Sequence, residues 1–295
     1  MKLASFTTNG HTRIGVVEFE RIADPCAVNP AIPVDMTAFL TAGAAARAAL
    51  DAALGSAPRL PLAEVKLQAP VPRPGKFLAV GLNYADHIKE LGAATPQFPS
   101  TFAKMSTCIT GPYNPVQRPR VSDSMDYEGE LGLVIGAHCR HVPKNRALEV
   151  VAGYVVVNDL TVREWVGLTP QVVIPKSFDT HGPFGPWMTT ADEITDPQAL
   201  NVKTTVNGEV RQSSSTAEMI FACADLIALL SQAVTLEPGD IITTGTPPGV
   251  GEGFSPKRYL QPGDVVRVEI DGLGAIENPV VAEPEDNAFI DISST

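Results

Sequence analysis

A β-rich α+β fold is what the sequence predicts, and three observations carry that prediction. Short runs that are β-branched or alternate in polarity recur at residues 76–80, 127–135, 151–158, 202–206 and 265–270, a length suited to strands. Between them lies turn chemistry rich in Gly and Pro. There is no strand–GxGxxG–helix unit and no βαβ alternation, which argues against a dinucleotide-binding fold. A single long amphipathic stretch, from about Thr216 to Val234, is available to cover such a sheet.

Each element follows in order. Leu3 to Thr8 and Arg13 to Phe19 flank Asn9-Gly10, a dipeptide that takes the left-handed angles of a type I′ turn, so a hairpin is expected. From Asp35 an alanine-rich run extends to Leu54 and has high helix propensity. The passage Pro70-Val71-Pro72-Arg73-Pro74-Gly75 can neither continue a helix nor pair inside a sheet. A boundary is placed there, with residues 1–70 as a small N-terminal accessory domain and 71–295 as the main, catalytic one. In the second part Asn207-Gly208 predicts another hairpin, and Glu237-Pro238-Gly239-Asp240 and Gln261-Pro262-Gly263-Asp264 predict turns that lead into strands. Ser215 and Glu218 have the spacing of a capping box ahead of the long helix, whose apolar positions are Met219, Ile220, Cys223, Leu226, Ile227 and Leu230. Residues 176–187 hold so much Gly and Pro that irregular structure is expected.

Composition narrows the function. The chain carries 22 Lys+Arg against 33 Asp+Glu, a net charge of −11, which disfavours nucleic acid or anionic membrane as a partner. Its four cysteines, Cys26, Cys108, Cys139 and Cys223, lack metal-like spacing and read as thiols of a reducing compartment. The first residues lack a signal-peptide core, and no apolar run approaches a membrane span. A cytoplasmic protein is expected.

The most informative segment is Asp126-Tyr127-Glu128-Gly129-Glu130-Leu131. Residues two apart on a strand share a face, so Glu128 and Glu130 project together and repel. A hard dication such as Mg²⁺ or Mn²⁺ resolves that conflict; an exposed acidic edge strand is the plainer alternative. Asp159, closing the apolar run Val155-Val156-Val157-Asn158, offers a third carboxylate for a −3 site, or else is a turn-forming or helix N-cap acid before Thr161-Val162-Arg163-Glu164. His87 and Glu90, three apart, would share one helical face as a water-activating pair, or form an ordinary surface pair. Lys176 near a dication would act as an electrophile. The loop Thr243 to Gly251, with Thr246, could hold a carboxylate.

Read together and in this order, these segments resemble the fumarylacetoacetate hydrolase family over roughly Lys76 to Asn278. The resemblance implies a mixed β-roll or sandwich catalytic domain, a smaller N-terminal domain and a homodimer. It implies Glu128, Glu130 and Asp159 as ligands of Mg²⁺ or Mn²⁺, with Ca²⁺ as a substitute. It further implies His87, Glu90 and Lys176 as catalytic residues, and Tyr84, Arg163, Thr180 and Thr246 as substrate contacts. The substrate would be a small 2-oxo or 1,3-dioxo acid, cleaved at a C–C bond, as in aromatic catabolism. Isomerisation or decarboxylation of a 2-hydroxyhepta-2,4-diene-1,7-dioate type acid is the alternative, and a non-catalytic metal- or acid-binding module a remoter one. One departure stands out. Val166 occupies a position where the family often has Gln, which together with Trp165 implies a more apolar substrate than a simple acylpyruvate.

Overall fold

A computed structural model describes residues 1–168, 170–286, 288 and 290. The N-terminal segment contributes β1 (Lys2–Thr8), β2 (His11–Glu18), β3 (Arg21–Ala23), helix α1 (Met36–Leu54), β4 (Arg59–Pro61) and β5 (Lys66–Leu67). There follow β6 (Phe77–Gly81), α2 (Ala85–Leu91), β7 (Ser100–Ala103), β8 (Ile109–Thr110), β9 (Val116–Arg118) and β10 (Met125–Asp126). Next come β11 (Gly129–Ile135), β12 (Val151–Asn158), β13 (Thr161–Val162), α3 (Arg163–Val166) and β14 (Gly182–Thr190). The chain ends with β15 (Asn201–Val206), β16 (Glu209–Ser215), α4 (Cys223–Ala233), β17 (Ile241–Thr243), β18 (Val265–Ile270) and β19 (Gly274–Ala282).

The large sheet runs β4-β3-β2-β1-β14-β12-β11-β17-β6-β7, with β5 on β1 and β8 on β14. A second sheet runs β16-β15-β18-β19-β9. Both faces of the large sheet's centre are covered. Val134, Val155, Val157 and Phe184 pack toward α1 with Met36, Phe39 and Leu50. Leu131, Leu133, Val156 and Ile242 pack toward α4 and the second sheet with Ile227, Val202, Val268 and Ile276. A strand buried on both faces has no reason to alternate in polarity, which is why β12 reads as a continuous valine run. The N-terminal strands continue this sheet, since Leu3 of β1 pairs with Met188 of β14.

The turn chemistry forms as expected. Asn9 and Gly10 have φ of 50° and 77°, and Asn207 and Gly208 have 53° and 79°, so both hairpins close through left-handed pairs. In the two Pro-Gly-Asp turns the Asp carboxylate accepts the N–H three residues before it, Glu237 at 2.8 Å and Gln261 at 2.7 Å.

Three expectations need correction. The long helix begins at Cys223, and Thr216–Glu218 is a separate 3-10 turn capped by Ser215. Residues 219–221 are instead held against Asn83 and Tyr84. The Asn83 side chain accepts the Phe221 N–H at 2.8 Å, the Asn83 carbonyl accepts that of Ile220 at 2.8 Å, and Tyr84 bridges to Met219. Tertiary hydrogen bonds thus override helical spacing. Of residues 176–187, expected to be irregular, 182–187 belong to β14, a central strand; its ladder with β12 shifts register between Tyr154 and Val156, the interval where Pro186 brings no N–H. The alanine-rich helix breaks at Gly43, with φ 58° and ψ −133°.

Candidate metal and acid–base site

The ends of β11 and β12 build the acidic cluster. The Asp159 N–H donates to the Glu128 carbonyl at 2.8 Å, and the Glu128 N–H to Asn158 Oδ1 at 3.0 Å. Those bonds lock the two chain ends side by side. Glu128, Glu130 and Asp159 each bring a carboxylate oxygen within 4.8 Å of the others. All three are buried, so they are no exposed acidic edge, and the helix after Asp159 has Val162, not Asp159, at its N-cap. An all-carboxylate donor set suits a hard divalent cation.

The charge around the cluster is not the bare −3 expected. Lys176 Nζ donates to Glu128 Oε2 at 2.5 Å and Asp159 Oδ2 at 2.8 Å. Arg163 pairs with Glu128 Oε1 at 2.6 Å. Lys104 Nζ, fully buried, donates to Asp159 Oδ1 at 2.5 Å, to His181 O at 3.2 Å and to the carbonyl of Lys176. Sequence reading missed Lys104, because its partner lies 55 residues away and nothing acidic stands near it in the chain. Burial opposes ionisation of Glu128, but Lys176 and Arg163 outweigh it and hold that carboxyl down at about 2. Burial also works against the Lys176 ammonium, yet Asp159 and Glu128 keep it above its ordinary range. Among the described residues no cation pairs directly with Glu130, and the Lys176 charge offsets its burial only in part. Burial, then Asp159 and Glu128, push its carboxyl well above the usual range, although Oε2 accepts the Gly245 N–H at 3.0 Å. A divalent ion would relieve that imbalance, so these residues fit a metal.

The second constellation sits on α2. His87 Nδ1 lies 2.9 Å from Glu90 Oε2, and Glu90 Oε1 accepts the Gly249 N–H at 2.9 Å. His87 is buried, so this is no surface pair. It also lies close to Glu128. Tyr84, just before α2, is fully buried, and its hydroxyl has no hydrogen-bond partner among the described residues. Burial, then Glu130, push that phenol up, which leaves it a proton donor beside the cluster.

The remaining expected residues are more peripheral. Thr180 has φ 69° and accepts the Gln117 N–H at 2.9 Å. The Thr246 hydroxyl donates to Gly129 O at 3.0 Å and accepts from Gln212 Nε2 at 2.7 Å. Val166 is half-buried on α3. A cleft of about 510 Å³ lined by Met105, Val121, Trp165, Ile174 and Phe178 opens beside this segment, and none of the three carboxylates lines it.

Fully buried His181 donates Nε2–H to Gln117 O at 2.9 Å, the tautomer a carbonyl partner requires. Burial pushes its pKa from 6.5 down to about 4. Between those values the unfolded chain binds a proton that the native state refuses. The stabilisation is therefore complete above about pH 6.5 and is lost as pH falls toward 4. Its full extent is on the order of 3 kcal/mol. Urea unfolding at pH 7, 5.5 and 4.5 should show a shallower loss in His181→Gln than in wild type; parallel slopes would refute the assignment.

Comparison with known proteins places this geometry. Residues 76–281 match the family model described as fumarylacetoacetate (FAA) hydrolase C-terminal. A Burkholderia multivorans protein, provisionally named a hydrolase, is 45% identical over 279 residues, covering 93% of this chain and 96% of that one. The crystal structure of maleylpyruvate hydrolase from a Sphingobium species, in complex with manganese(II) and pyruvate, superposes with a TM-score of 0.82 at 36% identity, over 96% of this chain and 100% of its own. The 2-hydroxyhepta-2,4-diene-1,7-dioate isomerase of Mycobacterium marinum superposes at 0.77 with 30% identity, over 97% and 100%. Among the described residues no helix is long and apolar enough to cross a membrane.

Proposed function

The chain belongs to the fumarylacetoacetate hydrolase family, and from that premise we propose that it is a divalent-metal-dependent hydrolase cleaving a C–C bond in a small 2-oxo or 1,3-dioxo acid, of acylpyruvate or fumarylacetoacetate type. The observation that carries this reading is buried His87, paired with half-buried Glu90, close to a buried three-carboxylate cluster. A water-activating base beside a hard-cation site is what hydrolysis of such an acid requires.

A divalent cation held by Glu128, Glu130 and Asp159 would supply Lewis acidity toward the acid's oxo and carboxylate oxygens. The chain's own groups do the rest. His87, oriented by Glu90, takes a proton from water at Nε2 while the water oxygen bonds to the distal carbonyl carbon. The adjacent C–C bond then breaks, and its electron pair passes to the oxo-acid fragment as an enolate. Lys176 stabilises that charge or protonates it. Arg163 and the Tyr84 hydroxyl are assigned to the acid's oxygens, with Thr180 beside them. Thr246 would act through its loop, since its hydroxyl is engaged. Residues 1–70 are assigned as an accessory unit, and the whole chain as a cytoplasmic homodimer.

Isomerisation of a hydroxydienedioate is the second reading, favoured by the likeness to the M. marinum enzyme. Mass spectrometry of products formed from acylpyruvates and ring-cleavage dienoates with Mg²⁺ or Mn²⁺ separates the two. Two shorter acids support hydrolysis; a product of unchanged mass overturns it. If Val166 tunes the pocket, Val166→Gln should move the kcat/KM ratio about tenfold toward a small acylpyruvate over a bulky one. An unchanged ratio would remove Val166 from the site.

A further inference from the structure

The reaction proposed above needs His87 held at a fixed angle over the carboxylates, although α2 and β11 are not hydrogen-bonded neighbours in the sheet. One buried carboxylate outside both groups joins them. Asp126, fully buried on β10, accepts four hydrogen bonds. Its Oδ1 takes the N–H of Tyr127 at 2.9 Å and of Gly251 at 2.6 Å. Its Oδ2 takes the N–H of Glu252 at 2.9 Å and Arg163 Nε at 2.7 Å. Arg163 continues to Glu128 at 2.6 Å. In the other direction the same loop presents Gly249, whose N–H docks Glu90 Oε1 at 2.9 Å and whose carbonyl accepts the Tyr127 hydroxyl at 2.9 Å. Glu90 then reaches His87 at 2.9 Å. The path from Glu128 to His87 is unbroken and leaves little slack. A Cβ at Gly251 would lie 2.7 Å from Asp126 Oδ1, and one at Gly253 only 2.4 Å from Glu90 Oε1.

We propose that Asp126 is a positioning residue of the reaction, clamping Arg163 and the Gly251–Glu252 amides together so that α2 presents the His87–Glu90 pair to the acidic cluster only while that clamp holds. The proposal rests on the hydrolytic reading of the same site. A carboxylate with four donors in a dry setting makes strong, directional bonds. The loop it fixes is also the surface on which Glu90 is seated. Arg163, by contrast, touches the cluster itself, so Asp126 acts on two parts of the site at once without entering it.

Asp126→Asn tests this. The amide keeps one accepting oxygen and turns an NH₂ toward the other donors, so only part of the clamp survives. With Mn²⁺ saturating, amide hydrogen exchange of residues 85–91 and 249–253 should accelerate by about tenfold or more while β11 stays protected. On an acylpyruvate, kcat should fall about 10–100-fold with KM changed by no more than about threefold. Gly251→Ala, whose Cβ would press on Asp126 Oδ1 at 2.7 Å, displaces the clamp itself, should show the same two signatures and serves if the first variant does not fold. Exchange in α2 that is unchanged, or raised equally with β11, overturns the proposal. If wild type turns over no oxo-acid, the reading of the reaction falls, and the exchange measurement alone still decides the clamp.

Discussion

Chelation should abolish turnover, Mg²⁺ or Mn²⁺ should restore it, and Glu130→Ala should lose metal affinity and rate together. Glu130 is the ligand to choose because the protein does least for its charge. Glu128 is matched by Lys176 and Arg163, and Asp159 by Lys104 and Lys176, whereas Glu130 accepts the Gly245 N–H and, among the described residues, forms no ion pair. Burial and its two acidic neighbours raise that carboxyl's hold on a proton, so protons compete with a dication there. Metal affinity should therefore weaken as pH falls, when the proton competes better for the ligand. Lewis-acid stabilisation is worth several kcal/mol, and ~4 kcal/mol corresponds to ~10³-fold in rate. Calorimetric titration with Mn²⁺ and a thermal-shift series check both halves. Saturating metal should raise the Tm of wild type and leave Glu130→Ala unmoved. A metal-free preparation with full activity would contradict the assignment of the cluster.

How much of this was legible in the sequence depends on the range of the interactions. The Asn9-Gly10 and Asn207-Gly208 turns are decided by backbone sterics within two residues, and both form. The same-face placement of Glu128 and Glu130 follows from the two-residue period of a strand, and their conflict points to a cation before any coordinates exist. The partners that settle that conflict are not local. Lys104 reaches Asp159 across 55 residues, and Asp126 reaches Gly251 across 125, so no spacing rule finds either. The start of α4 was missed for the same reason. The pattern at Met219 and Ile220 is helical, but Asn83, far away in the chain, accepts the amides of Ile220 and Phe221 first. In β14 the sequence misled in the other direction, since Gly and Pro were tolerated inside a sheet by a shift in register.

His87→Ala should lower C–C hydrolysis on the order of 10²–10⁴-fold, the usual loss of a general base, while Mn²⁺ affinity stays near wild type because His87 is not among the clustered ligands. Glu90→Gln separates orientation from mere packing. In the native pair an ionised Glu90 can only accept, so Nδ1 carries the proton and Nε2 is free to take one from water. The other Glu90 oxygen is already occupied by the Gly249 N–H. A glutamine that keeps its oxygen on Gly249 must turn its NH₂ toward Nδ1, which favours the opposite tautomer and leaves Nε2 protonated. Glu90→Gln should then approach the defect of His87→Ala, although its volume and helix are unchanged. Solvent ¹⁸O provides the chemical check, since water as nucleophile places one labelled oxygen in the carboxylate derived from the distal carbonyl. Normal turnover in His87→Ala with no label incorporated would reject hydrolysis and leave the isomerase reading, in which only a substrate proton moves.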